Sequence, residues 1–213
     1  MRWPTIEQIS AMTPLPTGYR FAPLHTADIA PLVTAIRDWF PSVAAGVGSC
    51  YLADSFYTEK VVLDDQTDRD VIALLIKHGD DLVGMGSWER ECAAMTLYAR
   101  LGVIAPAHRG ARLAVLAMEL GEKMGRAMGA GFIYTMATMK MPQMQRALEH
   151  AGYQLIGFVP GYDREEVSPG VIKRVIEAVY AKRLAPADAF LWPEAQNMTP
   201  ATKRLYDIIF SSD

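Results

Sequence analysis

The chain has 213 residues and a formal net charge of −3 at pH 7, with 51% hydrophobic and 21% charged residues. These values exclude a disordered protein, which has too few apolar residues to form a core, and a coiled coil, which is richer in charge. The mild acidity also argues against a nucleic-acid partner, because nucleic-acid-binding proteins usually carry a basic excess. A chain of this length buries enough surface to fold without disulfides or structural metals.

The cysteines and the N-terminal segment bear on metal binding and on location. Neither Cys50 nor Cys92 belongs to a CxxC pair, so we expect no disulfide framework and no metal site. The first residues lack the apolar stretch of a signal peptide. Uncharged apolar windows stay shorter than the roughly 18 residues that a membrane span needs. The sequence therefore predicts a cytoplasmic protein without a membrane partner.

The first half of the chain is predicted to alternate between helices and strands. In chain order, the elements are a helix at 5–12, a strand at 19–24, a helix that begins after Thr26 or Asp28, a second helix at 51–60, and strands at 70–78, 82–89 and 93–105. The first of the two longer helices is amphipathic, because Ile29, Leu32, Val33 and Ile36 recur at helical spacing. A Gly-Asp-Asp turn at 79–81 indicates a hairpin, so the three strands form a meander.

The second half continues with helical crossovers. Its predicted elements are a helix at 110–128, a strand at 132–138, a helix at 143–151, strands at 153–160 and 171–184, and a helix that begins at Thr199 and Pro200. The combination of a meander with crossovers predicts an α/β fold with a mixed sheet and helices on its faces. We expect an N-terminal arm at 1–18, one domain at 19–184, and a helical tail at 185–213. The tail would pack on the core or join subunits, which makes a homodimer possible.

The segment at 104–114, which reads I-A-P-A-H-R-G-A-R-L-A, joins a strand to the long helix. Helices usually begin with Ser, Thr, Asp or Asn, but this one is predicted to begin with His108, Arg109, Gly110 and Arg112. A cation at this end of a helix interacts unfavourably with the helix dipole and lowers stability by roughly 0.3–1 kcal/mol. A bound anion would offset this loss. Free N–H groups, a glycine and two guanidinium groups predict a phosphate site, and a solvated basic turn is the alternative.

The same segment resembles the acyl-CoA signature of the GCN5-related N-acetyltransferase (GNAT) superfamily, approximately V-x-P-x-x-R-G-x-G-(I/L)-(G/A) after the fourth strand. The matching residues here are Ile104, Pro106, Arg109, Gly110, Leu113 and Ala114. Arg112 stands where the family usually has its second glycine, so a point of close backbone approach is lost and a cation is gained. The order of predicted elements also matches from about 19 to 184. The resemblance therefore implies the GNAT-like acyl-CoA N-acyltransferase fold, with a central, mostly antiparallel mixed sheet.

The resemblance implies acetyl-CoA as the cofactor and direct transfer of its acetyl group to a primary amine of a small molecule, protein or peptide. Backbone N–H groups at 109–114 would hold the pyrophosphate. The fourth strand would separate from the fifth at a bulge near 102–104 and leave backbone groups for the pantetheine arm. The implied cofactor contacts are Val103, Ile104, His108, Arg109, Gly110, Ala111, Arg112, Leu113 and Ala114.

The chain departs from a second family pattern, N-x-x-A-x-x-L-Y-x-x-x-G-(F/Y), which usually supplies catalytic residues. Met141 stands at its Asn position, and Leu148 stands at the Tyr position that usually protonates the thiolate. Tyr153, Tyr134 or Tyr162 could replace that acid, as could a water molecule, and a packing role is the alternative for each tyrosine. Glu89 and Glu91 are general-base candidates beside a turn, where solvent exposure is the alternative. Tyr98 and Arg100 alternate on one strand face, which we expect to point towards the acceptor.

Two features bear on the acceptor and on activity. An acidic stretch at 54–70 suggests a cationic amine, with a solvated loop as the alternative. The missing Tyr and Asn favour another function, a non-catalytic CoA-binding regulatory module of the same fold. A nucleotide-binding α/β domain is a weaker alternative, since the chain has neither GxGxxG nor GxxxxGK(S/T).

Overall fold

A computed structural model describes residues 1–64, 66 and 68–210. The strands are β1 (Tyr19–Pro23), β2 (Val71–His78), β3 (Asp81–Glu91), β4 (Thr96–Ile104), β5 (Phe132–Thr138), β6 (Gln154–Ser168) and β7 (Val171–Arg183). The helices are α1 (Ile6–Met12), α2 (Ile29–Trp39), α3 (Asp54–Lys60), α4 (Leu113–Ala127), α5 (Gln143–His150) and α6 (Pro200–Phe210). Short 3-10 turns, including one at Pro41–Ala45 and one at Val47–Leu52, lie between α2 and α3.

The seven strands form one sheet in the order β1-β2-β3-β4-β5-β7-β6. Neighbouring strands are antiparallel except β4 and β5, which are parallel and are connected through α4. A parallel pair needs such a crossover, because a tight hairpin can join only antiparallel strands. The mixed, mostly antiparallel sheet with flanking helices confirms the predicted fold class.

Both faces of the sheet are covered, and β2 shows why. Its residues are apolar at consecutive positions, so side chains that alternate in direction are buried on both sides. Ile72 and Leu74 join a cluster with α1, α4 and α5, which we call the α4-side core. Ala73 and Leu75 join a cluster with α2 and α3, which we call the α2-side core. The candidate site described below lies where this two-sided cover is interrupted.

Several element boundaries differ from the sequence-based expectation. Helix α4 begins at Leu113 instead of residue 110, because the preceding Gly110 and Arg112 have φ angles of 97° and 59°, outside the right-handed helical region. The region predicted as one helix at 51–60 contains a 3-10 turn and then α3. Strand β6 extends to Ser168, well beyond residue 160. Strand β5 ends at Thr138, but β7 continues beyond it and stays paired with β6.

The two terminal segments pack against the domain. Ile9 of α1 is fully buried in the α4-side core, so the N-terminal arm is part of that core. The tail contacts the far edge of the sheet, where the Gln154 side chain donates a hydrogen bond to the Ile209 carbonyl oxygen. Residues 211–213 of the predicted tail lie outside the described residues.

In the part of the chain that the structure describes, none of the helices combines the length and the hydropathy of a membrane span. Among those same residues, no group of three or more His, Cys, Asp or Glu side chains is arranged to hold a metal ion.

Candidate active site

Strands β4 and β5 are paired over only part of their length. The register runs from Thr96 opposite Phe132 to Ala99 opposite Thr135, and no described pair follows. The Thr135 hydroxyl donates a 2.8 Å hydrogen bond to the Ala99 carbonyl oxygen at this last position. Beyond it, β5 stays with β7 and β4 stays with β3, so the sheet opens between the two strands. We call this opening the split.

The split begins earlier than expected, and its cause is a bulge at Arg100. In the pairing of β3 with β4, Ser87 lies opposite Leu101 and Trp88 lies opposite Ala99, so Arg100 is the extra residue. The expected position near 102–104 is therefore wrong by a few residues. An extra residue shifts the alternation of side chains along the strand. Accordingly, Ala99 packs in the α4-side core, whereas Leu101 packs against the α2-side core.

The N-terminus of α4 lies directly after β4 and has unsatisfied backbone donors. Among the described residues, none accepts a hydrogen bond from the backbone N–H groups of 110–115, and no side chain caps the helix. Such donors, together with the helix dipole, favour an anion. The anion site predicted from the sequence thus has its backbone donors in place.

The two arginines of this loop have different surroundings. Arg109 Nε donates to the Ile104 carbonyl oxygen at 3.1 Å, and its Nη2 donates to the Trp39 carbonyl oxygen at 3.1 Å. The Arg109 side chain therefore ties the loop to the ends of β4 and α2. Arg112 is exposed and adopts the left-handed conformation that a glycine would favour.

The remaining predicted cofactor residues fall into two groups. Val103 and Leu113 are buried in the two cores, so only their backbone groups can face a ligand. The partly buried or exposed members are Ile104, His108, Gly110, Ala111 and Ala114. The His108 side chain is already engaged, since its Nδ1 lies 2.9 Å from the Tyr19 hydroxyl.

Aromatic side chains cover the sheet beside the start of the split. Tyr98 of β4 stacks on Tyr134 of β5 with ring centroids 4.8 Å apart. The Tyr134 hydroxyl donates a 2.8 Å hydrogen bond to Glu91. Burial, and then the neighbouring phenol of Tyr162, raise the pKa of Tyr98, so its hydroxyl keeps its proton at neutral pH. Tyr98, Tyr134 and Tyr162 form a tyrosine cluster, as we call it below, on the face predicted to meet the acceptor.

Glu89 lies on the same face but is committed to a partner. Its carboxylate forms an ion pair with the guanidinium of Arg100, the residue of the bulge. The guanidinium carbon of Arg100 also lies between 5.7 and 6.0 Å from the ring centroids of Tyr51, Phe56 and Tyr98. This arrangement fixes Arg100 against the α2 side of the split, and Glu89 serves first to neutralise it.

The sequence analysis missed Glu177 of β7, which lies opposite Thr138 of β5. Its side chain is buried, with 8% of the residue exposed. Burial, followed by the charges of Asp163 and Glu165, raises the pKa of Glu177 to about 7. The signal was present, since a glutamate interrupts the apolar alternation of the predicted strand at 171–184.

Tyr153 is placed away from the split, contrary to its proposed catalytic role. The residue is 4% exposed in the α4-side core, and its hydroxyl donates to the Met118 carbonyl oxygen at 3.3 Å. A side chain that packs beneath α4 cannot reach a leaving sulfur in the split. Tyr153 therefore has a packing role, and the proton donor has to be sought elsewhere.

Two carboxylates of the acidic stretch at 54–70 already have partners in other segments of the chain. Asp64 lies 2.8 Å from His25 Nδ1, and Asp70 forms a 3.0 Å ion pair with Arg90, so both have partners elsewhere. Asp65 lies outside the described residues. The carboxylates near the split come instead from β3, β6 and β7, which sequence proximity could not indicate.

The segment between α2 and α3 extends to β6 on the acceptor side. The backbone N–H of Val47 donates a 2.6 Å hydrogen bond to Asp163 Oδ1. Gly46 lies so close to Asp163 that a side chain at this position would overlap the carboxylate. The segment thereby forms a wall between the α2 side of the sheet and the β6–β7 ribbon.

Neither a family sequence model nor a curated protein sequence matches the chain. Several solved structures, however, are similar to this chain. The protein yncA from Salmonella typhimurium, solved with its cofactor acetyl-CoA, has a TM-score of 0.62 and 13% identity over 84% of this chain and 99% of its own. The spermidine/spermine N-acetyltransferase SpeG from Vibrio cholerae has a TM-score of 0.63 and 11% identity, with 79% and 95% covered.

The Microcin C7 self-immunity acetyltransferase MccE, solved with acetyl-CoA and AMP, is similar as well. It has a TM-score of 0.61 and 15% identity, with 81% of this chain and 98% of that chain covered. At these identities the likeness concerns the fold, which places the split and the α4 N-terminus in a known architecture. The resemblance stated from the sequence is confirmed at that level: this chain has the fold of the GCN5-related N-acetyltransferase superfamily.

Proposed function

We propose that the chain is an acyl-CoA-dependent N-acyltransferase that transfers an acetyl group from acetyl-CoA to a primary amine of a small molecule or peptide. The observation that carries this proposal is the split between β4 and β5 beside an uncapped helix N-terminus. A free strand edge suits an amide-bearing arm, and the helix N-terminus suits a diphosphate. The acetyl-CoA present in the structures of yncA and MccE supports the same cofactor here.

The residues present fit that cofactor. The N–H groups of 110–115 have no other acceptor among the described residues, and Arg112 supplies an exposed cation next to them. Arg109 shapes the loop through its bonds to Ile104 and Trp39. The edge of β4 beyond Ala99 would hold the pantetheine arm. We assign both the binding of acetyl-CoA and the acetyl transfer to the domain at residues 19–184.

The chemistry requires two proton movements. Acetyl-CoA, when bound, supplies a thioester whose acyl group passes to a neutral amine as the C–S bond breaks. The chain has to take a proton from the amine and supply one to the sulfur. Tyr98 and Tyr162 are the candidates for the second task, because they belong to the tyrosine cluster beside the start of the split and Tyr98 keeps its proton at neutral pH.

A non-catalytic CoA-binding module is the second candidate function. Leu148 occupies the usual position of the catalytic tyrosine and is fully buried, so no side-chain acid is available there. The exposed apolar residues Leu205 and Ile208 of α6 offer a surface through which such a module, or a homodimeric enzyme, could associate.

Two measurements separate these functions. Calorimetry with CoA and acetyl-CoA tests the cofactor site, and no detectable binding at millimolar ligand would contradict both candidates. Release of CoA thiol in the presence of a panel of primary amines then tests the transferase. Turnover above the amine-free blank supports it, whereas tight CoA binding without turnover on any amine favours the regulatory module.

A further inference from the structure

The carboxylates near the split differ in what already binds them. Glu89 is paired with Arg100, and Glu91 accepts hydrogen bonds from Thr96 and Tyr134. Glu165 forms a 2.6 Å ion pair with Lys140. These three carboxylates are stabilised by cations or donors of the chain itself.

Glu177 is the exception. No residue of the described part of the chain donates a hydrogen bond to its carboxylate or forms an ion pair with it, although the residue is only 8% exposed. A buried carboxylate without a partner is costly when ionised, and such groups are concentrated at functional sites. A cation or a proton would therefore stabilise the carboxylate of Glu177.

The position of Glu177 suits a role at the split. Residues directly opposite each other in an antiparallel pair point to the same face of the sheet. Thr138 lies opposite Glu177, and Tyr134 is on the same face because it is four residues from Thr138 along β5. Glu177 therefore shares its face with the tyrosine cluster, and its charge acts on the phenol of Tyr98.

The groups that face Glu177 come from two neighbouring elements. Strand β6 contributes Asp163 and Glu165, both of which disfavour its ionisation. Strand β4 contributes the phenol of Tyr98, which is neutral at physiological pH. Lys140 lies within reach of Glu165, whose charge it balances. Burial, followed by the charges of Asp163 and Glu165, raises the pKa of Glu177 to about 7, close to the value that suits a general base at neutral pH.

We propose that Glu177 is the catalytic general base, which accepts a proton directly from the cationic amine of the acceptor. This inference rests on the proposed transferase function. In the step, an N–H bond of the ammonium breaks and its electron pair stays on nitrogen. The proton binds a carboxylate oxygen of Glu177, and the resulting carboxylic acid later releases it to water. The uncharged amine is then the nucleophile.

The test compares Glu177→Gln with Glu166→Gln as a matched control. Glu166 lies on the same strand as Asp163, but it is exposed and bonds only to the backbone N–H of Gly170 within the ribbon. Removal of a general base typically lowers kcat by about 10²–10⁴-fold. We expect such a loss in Glu177→Gln with an unchanged Kd for CoA, and near-normal kcat in Glu166→Gln. We also expect the acidic limb of the pH profile, centred near 7, to disappear in Glu177→Gln, with partial recovery of kcat in Glu177→Asp.

The possible failures are distinguishable. If Glu177→Gln binds CoA normally and keeps both kcat within a few-fold and the acidic limb, Glu177 is not the base. If Glu177→Gln loses CoA affinity as well, the residue has a structural role and the inference is overturned. If the unaltered protein binds CoA but acetylates no amine, the transferase function itself is wrong, and the base role falls with it.

Discussion

The hydroxyl of Thr135 in β5 donates a 2.8 Å hydrogen bond to the carbonyl oxygen of Ala99 in β4, at the last position where these strands are paired. The bond marks the start of the split. On the other side of β4, the bulge at Arg100 begins one residue later, so both edges of the strand change at the same place. A parallel pair that would otherwise continue is thus opened at a defined residue.

Replacement of Thr135 by valine removes this bond while it keeps the shape of the side chain. We expect Thr135→Val to lower the free energy of unfolding by about 1–2 kcal/mol, because a buried carbonyl oxygen loses a donor. Denaturant unfolding measures the change. Thr138→Val, at the partly buried end of the same strand, is the control and should change stability less, because it removes only an exposed 3.2 Å hydrogen bond from the Lys140 backbone N–H. Equal stabilities of Thr135→Val and the unaltered protein would show that the bond does not hold the strands together.

Arg112 tests charge and backbone conformation separately. Both Arg112→Gly and Arg112→Ala remove the cation, but only glycine relieves the left-handed conformation at φ 59°. We expect Arg112→Gly to be more stable than Arg112→Ala by about 1 kcal/mol. Both variants should bind CoA more weakly and with a smaller dependence on salt, because a charge near the diphosphate is gone. Unchanged CoA affinity in both would show that Arg112 does not contact the anion.

Gly102 lies on β4 beyond the split, and a Cβ atom added there would meet nothing within 4 Å. Leu101 and Val103 pack against the α2-side core, so a side chain at Gly102 would point to the opposite face, towards α4. We expect Gly102→Val to fold with unchanged or greater stability but to bind CoA at least about tenfold more weakly, since the side chain would fill the cofactor groove. Calorimetry and thermal unfolding together check this, and undiminished CoA affinity would place the pantetheine arm elsewhere.

Two glycines of α4 differ in what they approach. A Cβ atom at Gly121 would overlap the indole of Trp88, which is rigid and fully buried, whereas one at Gly125 would overlap only the flexible end of Leu184. Overpacking against a rigid group costs about 1–3 kcal/mol and outweighs the helix propensity of alanine. Gly121→Ala should therefore unfold at lower denaturant concentration, and Gly125→Ala should be affected less. The reverse order would show that Trp88 can move.

The raised pKa of Glu177 also predicts a dependence of stability on pH. The folded carboxyl group holds its proton up to about pH 7, whereas in the unfolded chain it loses the proton near its ordinary value of 4.5. The folded state therefore binds more protons in this interval, and the Glu177 contribution to stability falls as pH rises from about 4.5 to 7. Glu177→Gln should remove this fall. We expect it to be up to about 3 kcal/mol more stable than the unaltered protein at pH 8, with a smaller gain at pH 4. The measurement is the free energy of unfolding of both proteins between about pH 4 and pH 8. An equal change with pH in the two proteins would contradict the raised pKa.

Local patterns in the sequence predicted most of the architecture. Helical spacing at 29–36 and 113–124, the turn at 79–81 and the β-branched run at 171–184 each depend on neighbours along the chain, and all four predict the observed element type. The cationic segment before α4 was also recognisable, because capping rules apply to adjacent residues. The fold class and the proposed anion-binding loop followed from these patterns.

The chemical details depend on pairing between distant segments. Arg100 became a bulge because of its register with β3, and Glu177 became buried because β7 brought it beside β6 and the split. Tyr153 packs under α4 and is therefore no longer a candidate for catalysis. Its position is set by tertiary packing and not by its neighbours in sequence. The sequence by itself thus determined the fold and the position of the proposed cofactor loop, through interactions along the chain. Only the tertiary structure decided which carboxylate lacks a partner, because burial and charge depend on residues that are far apart in sequence.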